Sequence, residues 1–171
     1  MPETHRRLLD PYLVSSSAAA PQFRWTPAAN LHLTVRFVGA VERAVVDQVA
    51  DRCDELRLPA FELSVAQLGT FKRGRLVRVV WLQVGAGEDE ARRIAAQVEA
   101  ECVRAGLEPD IRPFQPHLTL ARARPRDGTD LPPLSAPPEL PPWRAEELIL
   151  YSSHLGRTGA VYEPLRKLSL R

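Results

Sequence analysis

Cysteine, lysine and histidine are all scarce in this 171-residue chain, and each scarcity removes a class of function. Cysteine occurs only at Cys53 and Cys102, too few and too far apart for a disulfide framework or a thiolate metal site. Cys53 keeps step with Val45, Val49 and Leu56, and Cys102 with Ala91, Ala95, Val98 and Ala105. Both therefore read as small core residues on amphipathic helices. Lys72 and Lys167 are the only lysines among 23 basic residues, so arginine carries the positive charge. Its flat fork suits phosphate, although a GC-rich genome produces the same bias. A net charge of +2 gives no global basic field that would announce nucleic acid. No apolar run approaches membrane-spanning length and no hydrophobic signal core opens the chain, so the cytoplasm is the expected compartment. Glycine never forms a phosphate-cradling P-loop, and no Gly-x-Ser-x-Gly surrounds Ser152 and Ser153.

What is present describes a soluble globular protein: 44% hydrophobic and 26% charged residues, enough for one sizeable domain or two small lobes. Periodicity predicts a short helix over 3–13, then "QFRWTP" leading into a strand that ends at Gly39. A helix over 41–57 stops before Pro59. "FELSVAQLGTF" and "RLVRVVWLQV" read as a hairpin turning at Lys72 to Gly74. Glu88 to Ala105 form a long helix stopped by Gly106 and Pro109. A strand near 117, a proline-rich stretch from Pro125 to Pro142, and strands near 145–154 and 160–170 around Gly156 and Gly159 complete an α+β order with mostly antiparallel pairing. The proline-rich stretch reads as a stiff loop.

Two of the four histidines sit in identical His-Leu-Thr triplets, at 32–34 and 117–119. Each triplet follows an aromatic and proline segment, "FRWTPAANLHLT" and "DIRPFQPHLT", a faint internal repeat that would bring both triplets to one cleft. On a strand, a histidine and the threonine two residues on share a face, about 6.5–7 Å apart. Two imidazoles that titrate near neutrality, with two hydroxyls that donate to anionic oxygens, suit in-line displacement at phosphorus. One histidine takes a proton from the attacking oxygen and the other gives one to the leaving oxygen. The spacing does not say which does which. No carboxylate or cysteine lies at ligand spacing from His32 or His117, so no metal or other cofactor is expected. His5 and His154 lack the threonine and read as surface or edge residues.

The chain resembles the two-histidine phosphoesterases, specifically the RNA 2',3'-cyclic phosphodiesterases, also called LigT-like proteins or 2'-5' RNA ligases. "RWTPAANLHLTVRFVGAV", "GTFKRGRLVRVVWLQV", "FQPHLTLARAR" and "LILYSSHLGRTGAVYEPL" carry the likeness over nearly the whole chain. The resemblance implies a single bilobal domain over residues 1–171, with two pseudo-symmetric antiparallel sheets, helices outside and a central cleft. It implies metal-independent hydrolysis of a terminal 2',3'-cyclic phosphate to a 2'-phosphate by a cytoplasmic monomer. RNA ends, tRNA fragments among them, or nucleotide cyclic phosphates are the implied substrates. By the same resemblance His32 protonates the leaving 3' oxygen, His117 activates water, and Thr34 and Thr119 bind phosphate. Family members usually open with an apolar strand before the first helix. This chain starts at Met1-Pro2-Glu3, where that helix should begin, so a sheet edge is expected to lie open.

Around the triplets, Arg36 shares the His32 face and could meet phosphate. Arg122 has an odd offset from His117, which puts it on the other face unless the strand twists or bulges. Phe114 could stack on a terminal base. Lys72, Arg73 and Arg75 crowd a hairpin tip where they could guide an RNA backbone. The same residues leave open 2'-5' ligation, a phosphodiesterase for small cyclic nucleotides, and a single-strand RNA-end binding module without turnover.

Overall fold

The computed structural model describes residues 1–156 and 160–171. In chain order its elements are α1 (Glu3–Ala19), β1 (Phe23–Trp25), α2 (Arg43–Glu55), β2 (Phe61–Leu63), β3 (Val65–Arg73), β4 (Leu76–Val84), α3 (Glu88–Arg104), β5 (His117–Ala123), β6 (Trp143–Ala145), β7 (Glu147–Leu155) and β8 (Ala160–Ser169). The result is an α+β fold with several antiparallel sheets. The chain divides into two compact units: residues 1–33, 63–86 and 116–143 form one, and 34–62, 87–115 and 144–171 form the other.

In the first unit α1 buries His5, Leu9, Tyr12, Leu13 and Ser16, spacings of four, three, one and three that draw a single stripe down the helix. That stripe explains two departures from the sequence reading. The helix runs to Ala19 rather than ending near residue 13, because burial continues on both sides of Pro11 and outweighs the backbone bond a proline removes. His5, expected at the surface, is only 4% exposed. Its Nε2 lies 2.7 Å from the Pro141 carbonyl oxygen and its ring meets Trp143 edge-on at 4.9 Å. Histidine is polar, but here it is the first residue of a row with Leu9.

The sheet of this unit has the order β1-β5-β4-β3, antiparallel throughout. Phe23, Val77, Val80 and Ala121 pack with Ala20 beneath it. "QFRWTP" is thus no mere lead-in, since Phe23–Trp25 is itself a strand on β5. This displaces the long strand expected over 30–39. With β1 on Ala121–Ala123, only the start of β5 is open, and of that segment Leu33 alone bridges to Leu118. The expected strand 61–71 also breaks in two, at Ser64, whose hydroxyl accepts the Ala86 N–H at 2.8 Å. The hairpin between β3 and β4 turns through Gly74, whose φ of 57° suits glycine. Residues 130–142 form no helix or strand, as six prolines in that stretch deny the backbone its donors.

In the second unit α2 and α3 close over Val49, Cys53, Ile94, Val98 and Cys102, joined by Leu58, Leu168 and Leu170. Both cysteines are buried and free, as expected, and burial pushes the Cys53 thiol up to about 11 and the Cys102 thiol upward too. β7 and β8 pair in long antiparallel register, from Glu147 with Ser169 to His154 with Val161. His154 is exposed on this ribbon, as expected. β2 and β6 pair as a short second sheet. Of the expected final turn, Gly159 lies outside the described residues. No described helix is long and apolar enough to cross a membrane.

Candidate active site

β5 is the central element of the site, and its register decides which side chains meet. Gln83 faces His117, Leu82 faces Leu118 and Trp81 faces Thr119. The register then shifts, and Val80 faces Ala121 and Val79 faces Arg122. Directly opposed residues share a face, so one extra residue, Leu120, is accommodated in β5 as a bulge. Leu118, Leu120 and Ala121 are all buried, at 2%, 0% and 0% exposure. Past the bulge the alternation resumes one step out of phase, and Arg122 emerges on the face of His117 and Thr119. A strict count of two places it on the other side, and the bulge that overturns the count leaves no trace in residue spacing.

His32 reaches the same strand from the other edge. Leu33 bridges Leu118 in antiparallel sense, which places His32 opposite Thr119. Residues Ala28–Asn30 form a 3-10 turn just before it. Arg6, from α1, donates to the carbonyls of Ala28 at 3.1 Å and of Ala29, pinning that turn. His32 Nδ1 lies 2.7 Å from the Asn30 carbonyl oxygen. A carbonyl can only accept, so the neutral ring carries its hydrogen on Nδ1, and Nε2 is the nitrogen that exchanges a proton. Burial lowers the His32 pKa below its ordinary 6.5. The Asn30 carbonyl works against this, and the positive charges of Arg6, the N-terminal amine and Arg122 reinforce it.

His117 sits among aromatic rings. Its imidazole meets Phe71 at 5.0 Å and 87° and Trp81 at 5.9 Å and 64°, while Phe71 and Trp81 lie 5.0 Å apart. Gly69 makes this possible: it pairs with Trp81, and a Cβ there would fall well inside contact distance of Cζ2, Cη2 and Cε2 of the indole. Sequence reasoning missed Gly69, Phe71 and Trp81, which look like ordinary hairpin residues until the register stacks them beside His117.

The remaining candidates are distributed unevenly. His32, His117, Thr119 and Arg122 all belong to the first unit, and Thr34 is the first residue of the second. Arg36 is occupied elsewhere in the second unit. Its guanidinium pairs with Glu99 and donates to the carbonyls of Glu108 at 2.6 Å and Phe37 at 2.7 Å. It ties loop to helix, which the alternation of a strand that did not form could not reveal. Phe114, half-buried in the second unit, offers its carbonyl to Arg92. Lys72, Arg73 and Arg75 are exposed at the hairpin, with Arg73 paired to Asp127. Among the described residues no three His, Cys, Asp or Glu side chains gather as metal ligands.

Residues 12–157 match the model of the 2'-5' RNA ligase superfamily. The chain belongs to this superfamily. A relative from Aeropyrum pernix, named RNA 2',3'-cyclic phosphodiesterase, is 34% identical over 142 residues, covering 80% of each chain. The Escherichia coli protein of the same name is 29% identical over 143 residues, 84% of this chain and 77% of that one. Among solved structures, one titled as a phosphoesterase superposes with a TM-score of 0.83 at 26% identity, over 99% of this chain and 93% of its own. E. coli LigT complexed with 3'-AMP gives 0.80 at 26% identity, over 96% and 92%. Superfamily membership thus rests on both sequence and fold, and the matched residues include His32 and His117.

Proposed function

We propose that the protein hydrolyses the terminal 2',3'-cyclic phosphate of RNA to a 2'-phosphate, using His32 and His117 as its acid–base pair and no metal. One observation supports this reading: the Leu33–Leu118 bridge sets His32 beside Thr119, and the Leu120 bulge turns Arg122 to the face of β5 that carries His117 and Thr119. Two titrating groups are superfluous for holding a phosphate but are what a displacement at phosphorus uses. The curated relatives' names supply the substrate, an RNA end bearing a cyclic phosphate.

In this mechanism neutral His117 takes a proton from water as its oxygen attacks phosphorus. The bond from phosphorus to the 3' oxygen breaks, and His32 Nε2–H delivers a proton to that oxygen. Thr119 donates its hydroxyl hydrogen to a non-bridging oxygen, and Arg122 offsets the charge there. Before substrate binds, burial and three cations favour the neutral form of His32. An incoming phosphate anion opposes those cations and raises the His32 pKa, so the acid is charged as substrate binds. All these groups come from one chain, and we take a single protomer, working in the cytoplasm, to be sufficient.

The test is incubation with an oligoribonucleotide ending in a 2',3'-cyclic phosphate, with excess chelator present. The expected product is a 2'-phosphate end, with His32→Gln and His117→Gln each at least ~10²-fold slower. No hydrolysis, or activity lost to the chelator and restored by a divalent ion, refutes the reading.

A further inference from the structure

The pairing of β1 with β5 sets Arg24 directly opposite Arg122. Opposed side chains in an antiparallel pair point to one face with Cβ atoms about 4.5–5.5 Å apart, and like charges so placed destabilise the pair. The two flanking residues of β1 confirm which face this is. Phe23 and Trp25 pack with Ala121 and Val80 below the sheet, so Arg24 projects above it, where His117, Thr119 and Arg122 stand. Both arginines are exposed, and among the described residues neither is in an ion pair. Arg36, Arg43, Arg92, Arg112 and Arg166 have carboxylate partners, whereas Arg24 and Arg122 have each other as cross-strand neighbours. Two cations forced together without a carboxylate are a place for an anion from outside.

We propose that Arg24, held beside Arg122, binds the phosphodiester next to the reacting end while Arg122 serves the reacting phosphate, and that Arg24 thereby makes the protein prefer RNA over cyclic mononucleotides. This rests on the hydrolytic reading above and names the substrate class of that same site. The two columns beside β5 divide the labour. His32 lies against Thr119 and Arg24 against Arg122, about two to three residues further along the strand, or roughly 7–10 Å. That is more than one phosphate spans and suits the next one along a chain. Arg122 is close enough for its charge to be felt at His32, whereas Arg24 is not among the cations felt there. Arg24 carries no mark of this role in residue spacing, because its strand reads as a lead-in loop.

The experiment compares kcat/KM for an oligoribonucleotide 2',3'-cyclic phosphate with kcat/KM for a mononucleoside 2',3'-cyclic phosphate in the parent, Arg24→Gln and Arg24→Lys. The ratio of oligonucleotide to mononucleotide should fall roughly tenfold in Arg24→Gln, and Arg24→Lys should recover most of it. Binding of the oligonucleotide, followed against salt by fluorescence anisotropy, should lose about 0.7 from its log–log slope in Arg24→Gln, the share of one phosphate contact on a single strand. An unchanged ratio, or equal losses on both substrates, overturns the assignment of Arg24. A parent that hydrolyses neither substrate instead overturns the hydrolytic reading, and the salt slope alone then decides Arg24: an undiminished slope overturns it, and a loss of about 0.7 upholds it.

Discussion

Arg122→Gln isolates the consequence of the Leu120 bulge. Arg122 is exposed, and a surface substitution of this kind changes stability by no more than about 0.5 kcal/mol, so the fold should survive. If the bulge delivers the guanidinium to the reacting phosphate, its loss removes a charge-assisted hydrogen bond worth about 1.5–3 kcal/mol. That corresponds to a drop in kcat/KM of roughly 10- to 10²-fold. A second signature has a fixed sign. Arg122 is one of the cations that lower the His32 pKa, so removing it must raise that pKa in the free protein. The assay pairs steady-state kinetics on a cyclic-phosphate oligonucleotide with an NMR titration of the His32 ring. A parent-like kcat/KM together with an unmoved His32 midpoint would mean that Arg122 faces away from the site, as the unbulged count of residues requires. A His32 midpoint that moves down would contradict the electrostatics.

Two further outcomes test the frame around the histidines. His32 is harder to protonate folded than unfolded, so the native state binds fewer protons between its lowered pKa and 6.5. Stability should therefore rise with pH through that window and level off above 6.5, and His32→Gln should remove this slope in urea titrations taken at several pH values. Gly69→Ala should cost about 1–3 kcal/mol in urea unfolding, since the new methyl group must push Trp81 aside. If Gly69→Ala unfolds with the parent, the indole does not lie over the strand.

The chemistry of this chain is far more legible in its sequence than the geometry that delivers it. His32, Thr34, His117 and Thr119 stand out because imidazole is scarce here and the same triplet occurs twice. The long helices also read correctly, since the stripes through Val49 and Cys53 and through Ile94, Val98 and Cys102 are periodic and strongly buried. What fails is whatever depends on competition for a strand edge. Residues 30–39 alternate like a strand, but β1 takes most of the β5 edge and leaves a single bridge at Leu33. Arg36 was placed by that alternation, and its pairing with Glu99 follows from the tertiary fold alone. The face of Arg122 and the place of Arg24 are illegible for related reasons: a bulge shifts one, and a three-residue strand is too short to show a period for the other. His5 was misread because a lone histidine on a short helix carries no sign of which neighbour will cover it.

The central claim is that two histidines divide one proton transfer each, and the pH dependence of residual turnover tests it most directly. The parent should give a bell, because one imidazole must be neutral while the other is protonated, and its limbs belong to the pair. In His32→Gln only the base remains, so kcat should rise with pH to a plateau with no alkaline fall. In His117→Gln only the acid remains, so kcat should fall with pH with no acidic rise. Limbs lost the other way round would exchange the two roles, and an intact bell in both variants would contradict the account, since neither histidine would then be carrying the proton.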